Sequence, residues 1–287
     1  MRFNRVARRR IFNWVVSGLC FLCVVAALIP LLSIIYTAVL NGGRVLSLSF
    51  FTSPLSFGFC QPHVSCYGGI GPPLWATIIV VGIASAMAVP AGVLAGIYLS
   101  EYGKNRLGRG ISFFTDVMTG SPSIVVGLFV YASFVFFDPR VAFSALSGSV
   151  ALAVIMIPIV TRTTEEALRL VPNALREGAY ALGIPRYRAV LQIVLSSGRS
   201  VVITGVVLAV MRAAGEVAPL LLTAFWNDFG FTGIAQPAGL LGPLIYMDAE
   251  SPSPYLVATA WGASLVLILL LLGISLAARI ALRKRFT

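Results

Sequence analysis

Arg212 and Glu216 are the residues whose type and spacing could do chemistry in this chain. They stand four apart within a stretch, 198–224, whose only other charged residue is Arg199 at its edge. A charged side chain near the centre of a bilayer costs about 2.5–3.5 kcal/mol on insertion scales, so such residues turn toward protein or water and mark a path. The i, i+4 spacing places both on one helix face, within pairing distance. Arg before Glu is the weaker order for such a pair, which leaves Arg212 available to a carboxylate on a neighbouring subunit or to an anionic substrate. A guanidinium suits an oxyanion because it donates in a fixed fork. An ion pair that holds subunits in register is the other reading of the same two residues, and both roles can alternate. Passage also requires release, so one weak, shared contact is more sensible than a tight cage.

Other chemistry is sparse. No G-x-x-x-x-G-K-[ST] loop is present to cradle ATP, and no zinc spacing or dinucleotide fingerprint occurs. With one histidine, His63, and no nucleophile–His–Asp set, the chain reads as a non-enzyme with no metal. His63 receives no role. Asp116 reads as a helix-start or interfacial residue. Pro122, Pro158 and Pro219 are expected to shape kinks and breaks. Cys20 and Cys23 form a C-x-x-C on paper, but they lie in an uninterrupted apolar run, which makes them small packing residues. Cys60 and Cys66 fall in one connection and admit either a disulfide, if that side is oxidising, or two free thiols. Their spacing alone does not decide.

The elements that must position these residues are membrane helices. The 287-residue chain is 58% hydrophobic and only 11% charged, with mean hydropathy +0.94. An ordinary soluble domain carries about 25% charged residues. Charge-free runs cover Ile11–Gly43, Val117–Phe137, Val141–Thr161 and Ser251–Ala278, and about 20 apolar residues cross a bilayer as a helix. The runs are continuous rather than alternating, so helices are expected and not barrel strands. The pattern predicts an all-α, polytopic membrane protein with six spans near 12–40, 73–100, 112–137, 144–164, 198–224 and 256–279. The first run is too long for a signal peptide and lacks a small-residue cleavage site, so it reads as a retained helix. Of the 21 Lys and Arg residues, all but Arg44, Arg140 and Arg212 lie in the two tails or in the second and fourth connections. Positive charge stays inside, so both termini are expected to be cytoplasmic. The net charge of +11 then reflects topology and anionic lipid. Nucleic-acid binding is a poor explanation, because the basic residues are dispersed over four membrane-edge segments.

The chain reads as one membrane domain, 1–287, with a core near 73–280 and an N-terminal span plus outward loop over 1–72. The outward connections 41–72 and 225–255 are rich in Gly, Pro, Ser and aromatics, which suits turns and short re-entrant or interfacial pieces. Trp75, Trp226 and Trp261 lie near predicted span ends, where interfacial aromatics belong. Segment 165–197 is longer than a connector requires, which favours a docking element over a plain hairpin. Pro172 can occupy the first turn of a helix. Leu175, Ala179 and Leu182 follow at i, i+4 and i+7 as one apolar face. Gly183 is placed to end that helix in the left-handed conformation. Pro185 can open a second helix whose Arg186 and Arg188 stay near lipid headgroups.

The residues of this segment resemble a known family. Glu177-Gly178-Ala179, three residues, Gly183, nine residues, Ile193, one residue, Leu195 is similar to the E-A-A-x3-G-x9-I-x-L-P loop of ABC-importer permeases. Gly178 replaces the second position and Ser196 the final proline. Within that family, Ser121–Phe129, Leu175–Gly183 and Arg212–Leu221 resemble the A-type permease subunits of phosphate-specific importers, as does Gly68-Gly69-Ile70-Gly71-Pro72. The likeness runs from about Gly68 to the end.

The resemblance implies a type I ABC importer permease fold whose loop inserts a short coupling helix into a cleft on an ATPase. It implies as partners two ATPase subunits that bind ATP and Mg, a second non-identical permease, and an external phosphate-binding protein. Phosphate would pass between the permeases by alternating access. A permease for another oxyanion or small solute shares the same loop, and an ion-coupled carrier or channel shares the same hydropathy.

Overall fold

Ala84, Ala88, Gly92 and Gly96 recur every four residues, which gives one helix a smooth face. Lipid supplies no hydrophobic drive between helices, so close packing through small residues takes its place. The structure, a computed structural model, describes residues 3–53 and 69–283. In chain order the helices are α1 (Phe3–Thr37), α2 (Leu48–Thr52), α3 (Gly71–Tyr102), α4 (Arg106–Gly120), α5 (Ser123–Phe137) and α6 (Ala145–Arg169). Then come α7 (Asn173–Ala181), α8 (Arg186–Arg188), α9 (Leu195–Ala214), α10 (Ala218–Thr223), α11 (Leu241–Ala249) and α12 (Pro254–Arg283). π-helical turns at Ala38–Gly42 and Ala189–Val194 extend α1 and join α8 to α9. Among the described residues there is no strand, only an isolated bridge between Phe231 and Ala238.

The small-residue face of α3 packs on α6. A Cβ at Gly92 would lie 2.7 Å from Val160 Cβ, and one at Gly96 would lie 2.6 Å from Thr164 Cβ and 2.7 Å from the Thr161 carbonyl oxygen. α6 is the centre of the fold: 67% of its most apolar window is buried, against none of α1's. Ala209 and Ala213 of α9 close the core from the other side, with Leu152 and Met156 of α6 between. Ser144 caps α6, its hydroxyl accepting from the Ser147 N–H at 3.1 Å. From Arg8 to Tyr36 the side chains of α1 stand outward, and past its end Gly42 faces the Trp261 carbonyl of α12. Cys20 and Cys23 are therefore exposed and not packing residues within this chain.

Among the described residues, five helices are long and apolar enough to cross a membrane, and α4 with α5 makes a sixth as a pair bent by 110°. The expected span 112–137 is thus a broken pair that begins at Arg106, and the break falls at Pro122, where a proline was expected to shape one. Ser121 takes ψ 135° and Pro122 ψ 135°, both extended. Proline disfavours the helical conformation at the residue before it and lacks the N–H to continue the ladder. The expected span 198–224 is corrected at both ends. Its helix starts at Arg186 and stops at Ala214, after which Gly215–Val217 break it before Pro219 opens α10. Pro158 stays inside α6. Trp75 lies in the second turn of α3 and Trp261 two turns into α12, and the Trp226 Nε1–H donates to Asp228 Oδ1 at 2.7 Å. Connection 41–72 contains α2 and connection 225–255 contains α11, whereas Cys60, His63, Cys66 and Gly68 lie outside the described residues.

Candidate functional site

Two places carry the predicted site residues, at opposite ends of α9. The first is the segment 165–197. Pro172 is the N-cap of α7, one residue before the helix rather than inside its first turn. α7 ends at Ala181, and Gly183 has φ +75°. The Gly183 N–H donates to the Tyr180 carbonyl at 2.9 Å and the Ile184 N–H to the Ala179 carbonyl at 3.1 Å. These two bonds are the Schellman arrangement that a left-handed residue closes a helix with. Glu177, Gly178 and Gly183 all face outward, while Ala179 is buried. Of the expected apolar set, Ala179 is buried while Leu175 is 45% and Leu182 81% exposed, and Tyr180 is outward beside them. Ile193 and Leu195 lie at the end of the π-helical turn and the start of α9.

What holds this exposed segment is polar, and composition did not flag it. Arg176 donates from Nε to Glu101 Oε1 at 3.1 Å, and its Nη2 lies 3.0 Å from the same oxygen. It also donates from Nη2 to the Leu168 carbonyl at 2.8 Å and from Nη1 to the Val171 carbonyl at 2.7 Å. Arg186 reaches the end of α3. Its Nη2 donates to the Glu101 carbonyl at 2.8 Å and its guanidinium stacks 4.2 Å from the Tyr102 ring centre. Guanidinium groups stack on aromatic faces readily because they are planar and weakly hydrated. The sequence signal for Arg176 was its place one residue before Glu177. Glu101 carried none beyond being a lone carboxylate at a span end.

The second place is the break after α9. Arg212 sits in the last turn of α9, but Glu216 lies past the helix end, so the two do not share a helix face. Their Nε and Oε1 still approach to 3.7 Å, with Arg212 60% exposed and Glu216 15%. Such a pair is worth about 0–1 kcal/mol at an exposed site, too little to fix the guanidinium. Arg212 lines a hollow of about 20 Å³ with Thr119, Ser121, Ser123, Val126 and Pro158, between the α4–α5 bend and α6. That volume admits roughly one water and no larger ligand. The hollow joins the Ser121–Phe129 string to Arg212, which the sequence kept apart. Pro219 backs onto α5, where a Cβ at Gly127 would lie 2.6 Å from its Cα.

Asp116 is not at a helix start. It lies on the inner turns of α4 and pairs with Arg162. Arg162 also bonds Ser112 Oγ at 2.8 Å and Glu165 Oε2 at 2.7 Å, and Glu165, 4% exposed, meets Arg169 at 2.6 Å. A buried carboxylate between two guanidiniums is compensated on both oxygens, the condition under which buried charge is tolerated. This cluster ties α4 to α6 beside the first place.

Residues 88–285 match the family described as binding-protein-dependent transport system inner membrane component. A relative from Yersinia pestis, the phosphate transport system permease protein PstA, is 36% identical over 285 residues, 99% of this chain and 94% of the relative. The protein PstA 1 of Mycobacterium tuberculosis (strain CDC 1551 / Oshkosh) is 34% identical, covering 97% of this chain and 92% of its own length. Among solved structures, the MetNI methionine ABC transporter in an inward-facing conformation matches with TM-score 0.62 at 17% identity, over 74% of this chain and 94% of that one. This last likeness concerns the fold.

Proposed function

The chain belongs to the family of binding-protein-dependent transport system inner membrane components, and from that premise we propose that it is the phosphate-moving permease subunit of an ATP-driven importer. The observation that carries the reading is the full-length likeness to phosphate permeases of distant bacteria, with the Arg212 string and the Glu177–Gly183 string both inside the matched region. Arg212 is the group suited to the anion. It is exposed, only loosely paired, and set at a helix break beside hydroxyl-bearing residues. The hollow is too small to hold phosphate by itself, so a second permease completes the path, and the anion passes between the two subunits. Glu216 competes with phosphate for Arg212, which keeps the contact weak enough to release.

The segment 165–197 meets a cytoplasmic ATPase through Leu175, Tyr180 and Leu182. Both termini share that side, by the distribution of Lys and Arg. The ATPase pair binds ATP and Mg and closes on ATP, and an external binding protein delivers phosphate. Labelled phosphate uptake at micromolar supply, in cells with and without this chain and with excess sulfate or molybdate present, tests the reading. Uptake that requires the chain and ignores both competitors is expected. Uptake that persists without it, with no other phosphate transporter present, would overturn the assignment.

A further inference from the structure

The α7 surface that faces outward has almost no apolar anchorage to its own chain. Only Ala179 of that helix is buried. A partner that pulled on α7 would need some other connection to move the bundle. The Arg176–Glu101 pair supplies one, since its side chains are 14% and 5% exposed.

We propose that Glu101 is the positioning residue through which the coupling segment grips the bundle. Its carboxylate holds Arg176 and its carbonyl holds Arg186, one on each side of the Gly183 turn. The segment is therefore pinned twice to the end of α3. Arg176 carries the same load to the end of α6 through the Leu168 and Val171 carbonyls. The end of α3 is itself braced. Tyr102, beneath Arg186, stacks on Tyr98 at 5.6 Å, and the Tyr98 hydroxyl accepts from Asn105 Nδ2 at 2.7 Å. Gly92 and Gly96 then lock α3 to α6 along their length, so both move as one body. α9, with Arg212 at its far end, joins the segment through the π-helical turn Ala189–Val194. π turns inside helices recur at functional sites. Gly205 packs α9 on α6 just as closely, where a Cβ would lie 2.5 Å from Thr163 Cβ, so a pull on α7 carries α3, α6 and the Arg212-bearing helix together.

The inference rests on the reading that this segment engages an ATPase, and its test separates the two. The quantity measured is phosphate taken up per ATP hydrolysed by the whole importer in proteoliposomes, with its binding protein outside. Absence of ATP-driven uptake by the wild-type assembly sinks the reading of the segment. With that uptake present, Glu101→Gln is expected to lower the ratio about tenfold, the equivalent of about 1.4 kcal/mol, while ATP hydrolysis stays near its wild-type rate. Glu101→Asp, which keeps the charge, should recover most of it. A ratio equal to wild type, or uptake and hydrolysis falling by the same factor, overturns the role of Glu101 alone. If Glu101→Gln does not assemble, Arg176→Lys is read in its place. It keeps the charge and loses the fork, and an unchanged ratio overturns the role equally.

Discussion

Replacing Gly183 by Ala disturbs no neighbour, because a Cβ there would meet no atom within 4 Å. The perturbation acts only on the backbone. At φ +75° a side chain costs about 1–2 kcal/mol, since Cβ crowds the following carbonyl in the left-handed region. The alternative for Ala is to leave that region and break the bonds from Gly183 N–H to Tyr180 and from Ile184 N–H to Ala179. By either route the closed turn loses population by a factor of about 5–30. Gly178 is the control. It too has no atom within 4 Å of its absent Cβ, but it lies in ordinary right-handed helix. There Gly→Ala stabilises by about 1 kcal/mol. The same chemical change in one segment is therefore expected to have opposite signs. The assay is amide hydrogen exchange over α7, followed by ATP-driven uptake of the assembled importer. Gly183→Ala should speed exchange and lower uptake, Gly183→Asn should fall between it and wild type, and Gly178→Ala should slow exchange without loss of uptake. Wild-type exchange in Gly183→Ala, or equal damage from Gly178→Ala, would refute the reasoning.

Three further outcomes are expected. Gly96→Ala drives a Cβ to 2.7 Å from the Thr161 carbonyl oxygen and should destabilise the purified protein by about 1–3 kcal/mol, whereas Gly82→Ala, with nothing nearby, should not; thermal unfolding in detergent distinguishes them. Arg212→Gln should reduce uptake by about tenfold while the complex still co-purifies, because the fork is lost at the path, and full uptake by an assembled mutant contradicts the role given to Arg212. Burial pushes the Asp248 carboxyl up to about 6, and its Oδ2 has no hydrogen-bond partner. A raised carboxyl contributes stability that is fully present below its unfolded value of 3.8 and is lost as pH rises through 6. Asp248→Asn should therefore gain on wild type as pH rises from 3.8 to about 6, by no more than about 3 kcal/mol in all, and a gap that does not change with pH contradicts this.

Helix content and span number were legible because lipid imposes both on a run of apolar residues. The left-handed Gly183 was legible because glycine after an amphipathic turn has one common use. The α4–α5 bend was hidden from hydropathy, which averages over Ser121-Pro122, although the pair itself marks a helix stop. Arg212 and Glu216 were found by charge, but their shared face assumed a helix that Gly215 ends. Glu101 and Arg176 stand 75 residues apart, so no local pattern links them. The Ala84–Gly96 ladder was readable as small residues at intervals of four.

In the proposed importer, this chain moves phosphate only when a separate ATPase drives it. The direct measurement is labelled phosphate accumulation in proteoliposomes holding either the complete importer with ATP and Mg on the ATPase side, or this chain alone under an ion gradient. Accumulation in the first and none in the second is predicted. Gradient-driven accumulation by the chain alone, or none in the ATP-supplied assembly, would contradict it.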